Sequence, residues 1–211
     1  MPDSNACVAV IDDDPQFLES LGRLLRSVGL RPQLFASIAD FVASEPPDEP
    51  TCLVLDVRLP GQSGLDFQRD LGVAGVRLPI VFITGHGDIP MTVQALKAGA
   101  VEFLTKPFRD QDLIDAVNVG LARDRARRED EAALRALKAR FEVLTSRELA
   151  ILIRVVEGRL NKQIAGEMGI TETTVKVHRS NMMRKINAAS FAELCRMVDK
   201  LKLLPEKSES W

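Results

Sequence analysis

The chain has 211 residues, 45% hydrophobic and 27% charged, with a net charge of −2. That length allows one large domain or two small ones, and the composition supports a packed core in either half. Without a run of about 18 apolar residues, a membrane-spanning helix is excluded. Met1-Pro2-Asp3-Ser4-Asn5 lacks the basic-then-apolar order of a secretory signal, so the cytoplasm is the expected compartment. Cys7, Cys52 and Cys195 are odd in number and widely spaced, which disfavours disulfides and a zinc site. They read as small buried hydrophobes. The charge is unevenly spread. Residues 1–120 carry 9 Lys and Arg against 17 Asp and Glu, whereas residues 144–211 carry 12 against 8. An acidic half joined to a basic half suggests an anion- or nucleic-acid-binding tail on an acidic module.

In chain order, short β-branched or aromatic runs predict strands at Val8–Ile11, Gln33–Phe35, Cys52–Leu55, Ile80–Ile83 and Val101–Leu104. Helical spacing separates them, as in Phe17, Leu21, Leu24, Leu25 and Val28. Strands alternating with helices imply a parallel sheet covered on both faces, arranged as a flavodoxin-like (βα)5 α/β domain. Pro46–Pro50 reads as a surface loop. From Asp110 the chain is helical for a long way, with a stripe of Leu113, Ile114, Val117 and Leu121. The segment Arg123–Glu131 has no apolar face and lacks Gly and Pro, so an exposed helical linker is expected. Leu134, Leu137, Phe141 and Leu144 then form a stripe suited either to a short coiled coil or to packing on a neighbouring domain.

The last third is all helical. Thr145 and Glu148 make a capping box, Gly158 ends that helix, Asn161 caps a second that Gly169 ends, and Thr171 caps a third running to about Ile186. A fourth runs from about Ser190 to Leu201, and the tail Pro205–Trp211 is expected to fray. The resulting division is 1–122, 123–142 and 143–211.

Ligands of such sheets bind at the carboxyl ends of the strands. Asp12 and Asp13 follow the first strand and Asp56 ends the third, whereas Asp14 before Pro15 reads as a helix cap. Thr84 follows the fourth strand and Lys106 the fifth. Converging carboxylates repel one another unless a cation intervenes, and Mg²⁺ takes oxygen ligands of this kind. Acid, acid, hydroxyl and amine at one edge suit phosphoryl transfer to a carboxylate, with Asp56 as the acceptor.

In the last third, Val175, Met182 and Ile186 fall on one face of the third helix, and Thr173, Lys176, Val177, Ser180 and Arg184 on the other. A turn at Gly169-Ile170 between short helices fits a helix-turn-helix whose second helix enters the major groove.

These positions carry a family resemblance. Asp12-Asp13, Asp56, Leu59-Pro60-Gly61…Gly64, Thr84, Lys97-Ala98-Gly99-Ala100 and Lys106-Pro107 resemble the receiver domains of two-component response regulators over residues 6–122. Thr84-Gly85-His86-Gly87-Asp88 resembles the FixJ-like branch. Leu144–Glu148, Asn161–Ala165, Thr174–Arg179 and Lys185–Ala188 resemble the LuxR-type helix-turn-helix over residues 143–203. The resemblance implies phosphorylation of Asp56 by a partner histidine kinase. It implies Mg²⁺ bound by Asp13, Asp56 and the Arg58 carbonyl, with Asp12 acting through water. Lys106 and Thr84 would hold the phosphoryl group, Phe103 would occupy an aromatic switch position, and the Lys106-Pro107 bond would be cis. His86 reads as solvent-facing rather than as a phosphate relay. Toward DNA, Lys176, Val177 and Ser180 would lie near bases, with Thr173, Arg179 and Arg184 near phosphates. The expected protein is a NarL/FixJ-type transcriptional regulator, not an enzyme, that dimerises on phosphorylation and acts on promoter DNA and the transcription machinery. A receiver used only for protein contacts, or a phosphohydrolase with an aspartyl-phosphate intermediate, accounts for fewer of these features. The first leaves the complete acidic set idle, and the second leaves the basic last third unexplained.

Overall fold

The computed structural model describes residues 6–45, 47–85, 87 and 89–203; His86, Asp88, Pro46 and the Pro205–Trp211 tail lie outside the described residues. The chain forms two compact units, Met1–Arg128 and Glu129–Trp211.

In the first unit the elements alternate: β1 (Cys7–Ile11), α1 (Pro15–Ser27), β2 (Arg31–Phe35), α2 (Ile38–Ala43), β3 (Thr51–Asp56), α3 (Gly64–Val73), β4 (Ile80–Thr84), α4 (Ile89–Lys97), β5 (Glu102–Thr105) and the start of α5 (Asp110–Glu142). The five strands pair in parallel, in the order β2-β1-β3-β4-β5. Strand side chains alternate faces, and each face has its own core. Val8, Val10, Val54 and Ile83 pack toward α1 and α5, while Ala9, Ile11, Leu55 and Phe82 pack with Phe67 and Ala95 of α3 and α4. The sheet is therefore covered on both sides, as near-continuous apolar strands require.

Strand β2 begins at Arg31, two residues before its expected start, because Pro32 is tolerated on an edge strand. Strand β5 runs Glu102–Thr105, one residue later than expected. Asp14 caps α1, accepting from the N–H groups of Gln16 and Phe17.

The expectation of an exposed helical segment at 123–131 fails at Asp124, which is 0% exposed. Its carboxylate accepts from the Thr51 N–H at 2.9 Å, from Arg127 at 2.6 Å and from Arg128 at 2.7 Å. Residues three and four positions on share a helix face with Asp124, so the two guanidiniums accompany the carboxylate to the foot of β3. Arg128 also donates to the carbonyls of Pro47 and Asp48. Burial pushes the Asp124 carboxyl up, but these donors outweigh it and hold the carboxyl below its ordinary range.

The second unit contains the end of α5 with α6 (Ser146–Val156), α7 (Asn161–Met168), α8 (Glu172–Ile186) and α9 (Phe191–Lys200). Its core gathers Phe141, Ile151, Leu152, Ile164, Val175 and Met182. Leu137 and Leu144 pack against that core, so this stripe of α5 serves the helical unit; Leu134 stays exposed. Thr145 and Glu148 form the expected capping box, and Gly169 ends α7 in the left-handed region at φ 62°. One cap differs from expectation. Leu160 occupies the N-cap of α7 and has no side-chain acceptor, while Gln163 reaches back to its N–H. Asn161, one residue on, accepts instead from Arg179 at 2.6 Å. At Gly166 a Cβ would meet nothing within 4 Å. Its cost is therefore only helix propensity, about 0.5–1 kcal/mol against Ala.

Candidate functional site

Four strand ends deliver polar side chains to the carboxyl edge of the sheet. Asp12 follows β1, Asp56 closes β3, Thr84 closes β4 and Lys106 follows β5. Parallel pairing in register keeps these ends level, with Ile11 opposite Leu55, Asp56 opposite Ile83 and Thr84 opposite Thr105. Asp12, Asp56 and Thr84 are buried.

Lys106 joins them. Its Nζ donates to Asp12 Oδ2 at 2.6 Å and to Asp56 Oδ2 at 2.8 Å, and lies 3.8 Å from the centre of the Phe17 ring. Burial opposes the ammonium charge, but the hydrogen bonds to Asp12 and Asp56 prevail and raise the Lys106 pKa. Asp12 is also raised, first by burial and further by the nearby Asp56 charge, against the hydrogen bonds from Lys106 and the Asp14 N–H. On Asp56 the second oxygen, Oδ1, accepts from the Arg58 N–H at 2.8 Å. The carboxylate is thus oriented by a backbone donor on one side and an ammonium on the other. The Lys106-Pro107 peptide is cis.

Not every expected member joins this group. Asp13 is exposed at the rim. Among the described residues, no three His, Cys, Asp or Glu side chains are grouped closely enough to hold a metal ion. Lys106 draws the Asp12 and Asp56 oxygens to itself, leaving Asp13 apart. Phe103 is buried against the tilted ring of Phe82, with centroids 6.1 Å apart. Gly87 lies close to it: a Cβ added there would stand 2.9 Å from the Phe103 ring.

In the second unit, α8 shows two faces. Val175, Met182 and Ile186 are fully buried, while Thr173, Lys176, Val177, Ser180 and Arg184 are exposed. Val177 is 53% exposed, so its methyl groups are available on that outer face. Lys176 has only a loose exposed pairing with Glu172 at 3.4 Å. Arg179 differs from the others, being half-buried with its guanidinium on Asn161.

Sequence reasoning missed the anchor of this helix. Lys185 donates to Glu148 Oε2 at 2.7 Å, tying the end of α8 to the start of α6. Together with the Thr145 donors, Lys185 holds the Glu148 carboxyl down at about 2. A group depressed in the folded state stabilises it fully above its ordinary pKa, near 4.5 here, and loses that contribution as pH falls through the depressed value. Acid unfolding of the helical unit should accordingly steepen from about pH 4.5 down to about 2. Circular dichroism titration of Glu148→Gln should show a flatter profile in that window and lower stability at neutral pH. An unchanged acid limb would contradict this assignment.

Residues 8–118 match the response regulator receiver domain family, and residues 142–198 match the bacterial regulatory proteins of the luxR family. Nodulation protein W of Bradyrhizobium diazoefficiens is 50% identical over 98% of this chain and 91% of its own length. Transcriptional regulatory protein FixJ of Azorhizobium caulinodans is 43% identical over 93% of each chain. The low-resolution structure of the response regulator StyR superposes with a TM-score of 0.82 at 47% identity, covering 93% of this chain and 99% of that one. Among the described residues, no helix is long and apolar enough to cross a membrane.

Proposed function

Because the chain belongs to the two-component response regulators, joining a receiver to a LuxR-type DNA-binding domain, we propose that phosphorylation of Asp56 by a partner histidine kinase switches its binding to promoter DNA. The observation that carries this reading is the Lys106 ammonium bridging Asp12 and Asp56 at the strand ends. We assign the receiver to residues 1–122, the linker to 123–142 and the DNA-binding domain to 143–211. The cytoplasm is its working compartment and the transcription machinery its downstream partner.

An Asp56 oxygen forms the bond to phosphorus as the phosphorus–nitrogen bond of the donor histidine breaks. The Arg58 N–H fixes one Asp56 oxygen, and Lys106 neutralises charge at the other. Afterwards Lys106 and the Thr84 hydroxyl hold the phosphoryl oxygens. Two carboxylates against one ammonium leave excess negative charge, and Asp13 adds more at the rim. This all-oxygen donor set fits a hard divalent cation. Mg²⁺ held by Asp13, Asp56 and the Arg58 carbonyl, with Asp12 acting through water, would offset charge on the phosphoryl oxygens.

The switch is read out through packing. Movement of Thr84 toward the phosphoryl group draws Gly87 with it and opens space beside Phe103. Helices α4 and α5 carry exposed apolar side chains: Ile89 is 80% exposed, and Val93, Leu96 and Val119 are exposed too. Such a face suits a symmetric dimer formed when the two packings exchange populations. Sedimentation at tens of micromolar, about the range of weak regulated association, should show a monomer converted to a dimer by acetyl phosphate and Mg²⁺. The same treatment should tighten binding to a selected duplex. A phosphorylated protein that stays monomeric and binds DNA no better would overturn the proposal.

A further inference from the structure

Opposite the phosphoacceptor, at the amino-terminal edge of the sheet, the first unit has a cavity of about 320 Å³. It opens between α3, the turn before β4, the α4–β5 turn and the segment of α5 around Asp124. Its apolar wall is built from Leu71, Val76, Leu78, Pro79, Ile80 and Val101. Three arginines, Arg77, Arg123 and Arg127, share its lining with a single acidic residue, Asp124. That carboxylate is already committed to Thr51, Arg127 and Arg128. Arg77 and Arg123, by contrast, are exposed, and their guanidiniums have no hydrogen-bond or ion-pair partner among the described residues.

We propose that this cavity is a binding site for a small organic carboxylate with an aliphatic body, its anionic end held by Arg123 and Arg77. A pocket that pairs an apolar wall with a few convergent polar groups is the usual form of a small-molecule site. Guanidinium offers the planar fork that matches a carboxylate. The Asp124 latch fixes this stretch of α5 against β3, so the backbone that carries Arg123 is already held in place and binding has to order only the exposed side chains. The floor is equally fixed, since Gln68 of α3 donates to the carbonyls of Ala95 and Ala98 at 3.3 Å and so ties α4 to the cavity. A bound carboxylate would therefore touch α3, the end of α4 and the root of the long helix together. The site is independent of phosphoryl transfer, which takes place at the other end of the strands.

The test uses the full chain and two probes of nearly equal shape, hexanoate and its neutral counterpart hexanamide. In ¹H–¹⁵N correlation spectra, hexanoate should shift the amides of residues 71–80 and 98–101 in a saturable manner. Hexanamide should bind at least tenfold more weakly. Arg123→Gln and Arg77→Gln should each weaken hexanoate at least tenfold while leaving the spectrum of the Asp56 region unchanged. Equal response to both probes, no response to hexanoate, or full hexanoate binding in both variants would overturn the proposal. Asp56→Asn should bind hexanoate like the wild type, which separates this site from the phosphoacceptor.

Discussion

Gly64→Ala should destabilise the receiver by about 3 kcal/mol and slow phosphorylation of Asp56, because the added methyl has nowhere to go. A Cβ at this position would stand 2.4 Å from the Asp56 carbonyl oxygen, 3.1 Å from the Leu55 side chain and 3.2 Å from the Val57 Cα. The nearest obstacle is backbone, which cannot rotate away as a side chain can. The Gly64 N–H also donates to the Val57 carbonyl at 2.9 Å, stitching the start of α3 to the residue after Asp56. Relief of the clash must therefore move either α3 or the chain that bears the acceptor. Gly61 is a useful control. It has φ +89° and nothing within 4 Å of a Cβ, so Gly61→Ala should cost only the backbone strain, about 1–2 kcal/mol. Urea unfolding of both variants, followed by rates of labelling with acetyl phosphate, separates crowding from strain. A Gly64→Ala protein with the wild-type midpoint and labelling rate would refute the close approach of α3 to Asp56.

The second large effect is expected on DNA. Lys176 lies in the early part of α8, the part that reaches deepest into the major groove in a helix-turn-helix. Lys176→Ala should cost about 1–3 kcal/mol at a selected site and relax sequence preference. Arg184 lies eight residues later, exposed near the end of α8, with only a 3.4 Å contact to Asn181. Arg184→Ala should weaken all duplexes alike and reduce the salt slope by about one. Arg179 should behave differently again. Its bond to Asn161 joins α8 to α7, so Arg179→Ala should perturb stability of the helical unit along with DNA binding. Titrations against selected and scrambled duplexes at several salt concentrations distinguish the three. Intact binding of Lys176→Ala to both duplexes would mean that α8 does not read the groove this way.

How far the sequence carried these conclusions depended on the kind of interaction. Alternating β-branched runs and helical spacing are local signals, and they located every strand of the sheet within two residues. Capping residues such as Thr145 and Thr171 were equally legible, because a cap bonds within its own turn. Long-range pairings were not. Nothing near Asp124 reveals that the Thr51 N–H, 73 positions away, waits for its carboxylate. The run Asp124-Arg125-Ala126-Arg127-Arg128 held a partial clue, since one acid faces two cations at helical spacing. The Lys185–Glu148 bond likewise spans 37 positions. Asn161 misled for a related reason. It is a good capping type, but Arg179 claims its side chain. At the strand ends, spacing alone brought Asp12, Asp56, Thr84 and Lys106 to one edge, whereas the choice of Lys106 to bridge two carboxylates, with Asp13 left at the rim, required the geometry.

The central claim is that Asp56 is the acceptor whose phosphorylation sets the state of the protein. The most direct measurement is labelling with radioactive acetyl phosphate and Mg²⁺, followed by hydroxylamine treatment and peptide mapping. The account predicts one hydroxylamine-labile label on the peptide containing Asp56, and none in Asp56→Asn. Undiminished labelling of Asp56→Asn would contradict it.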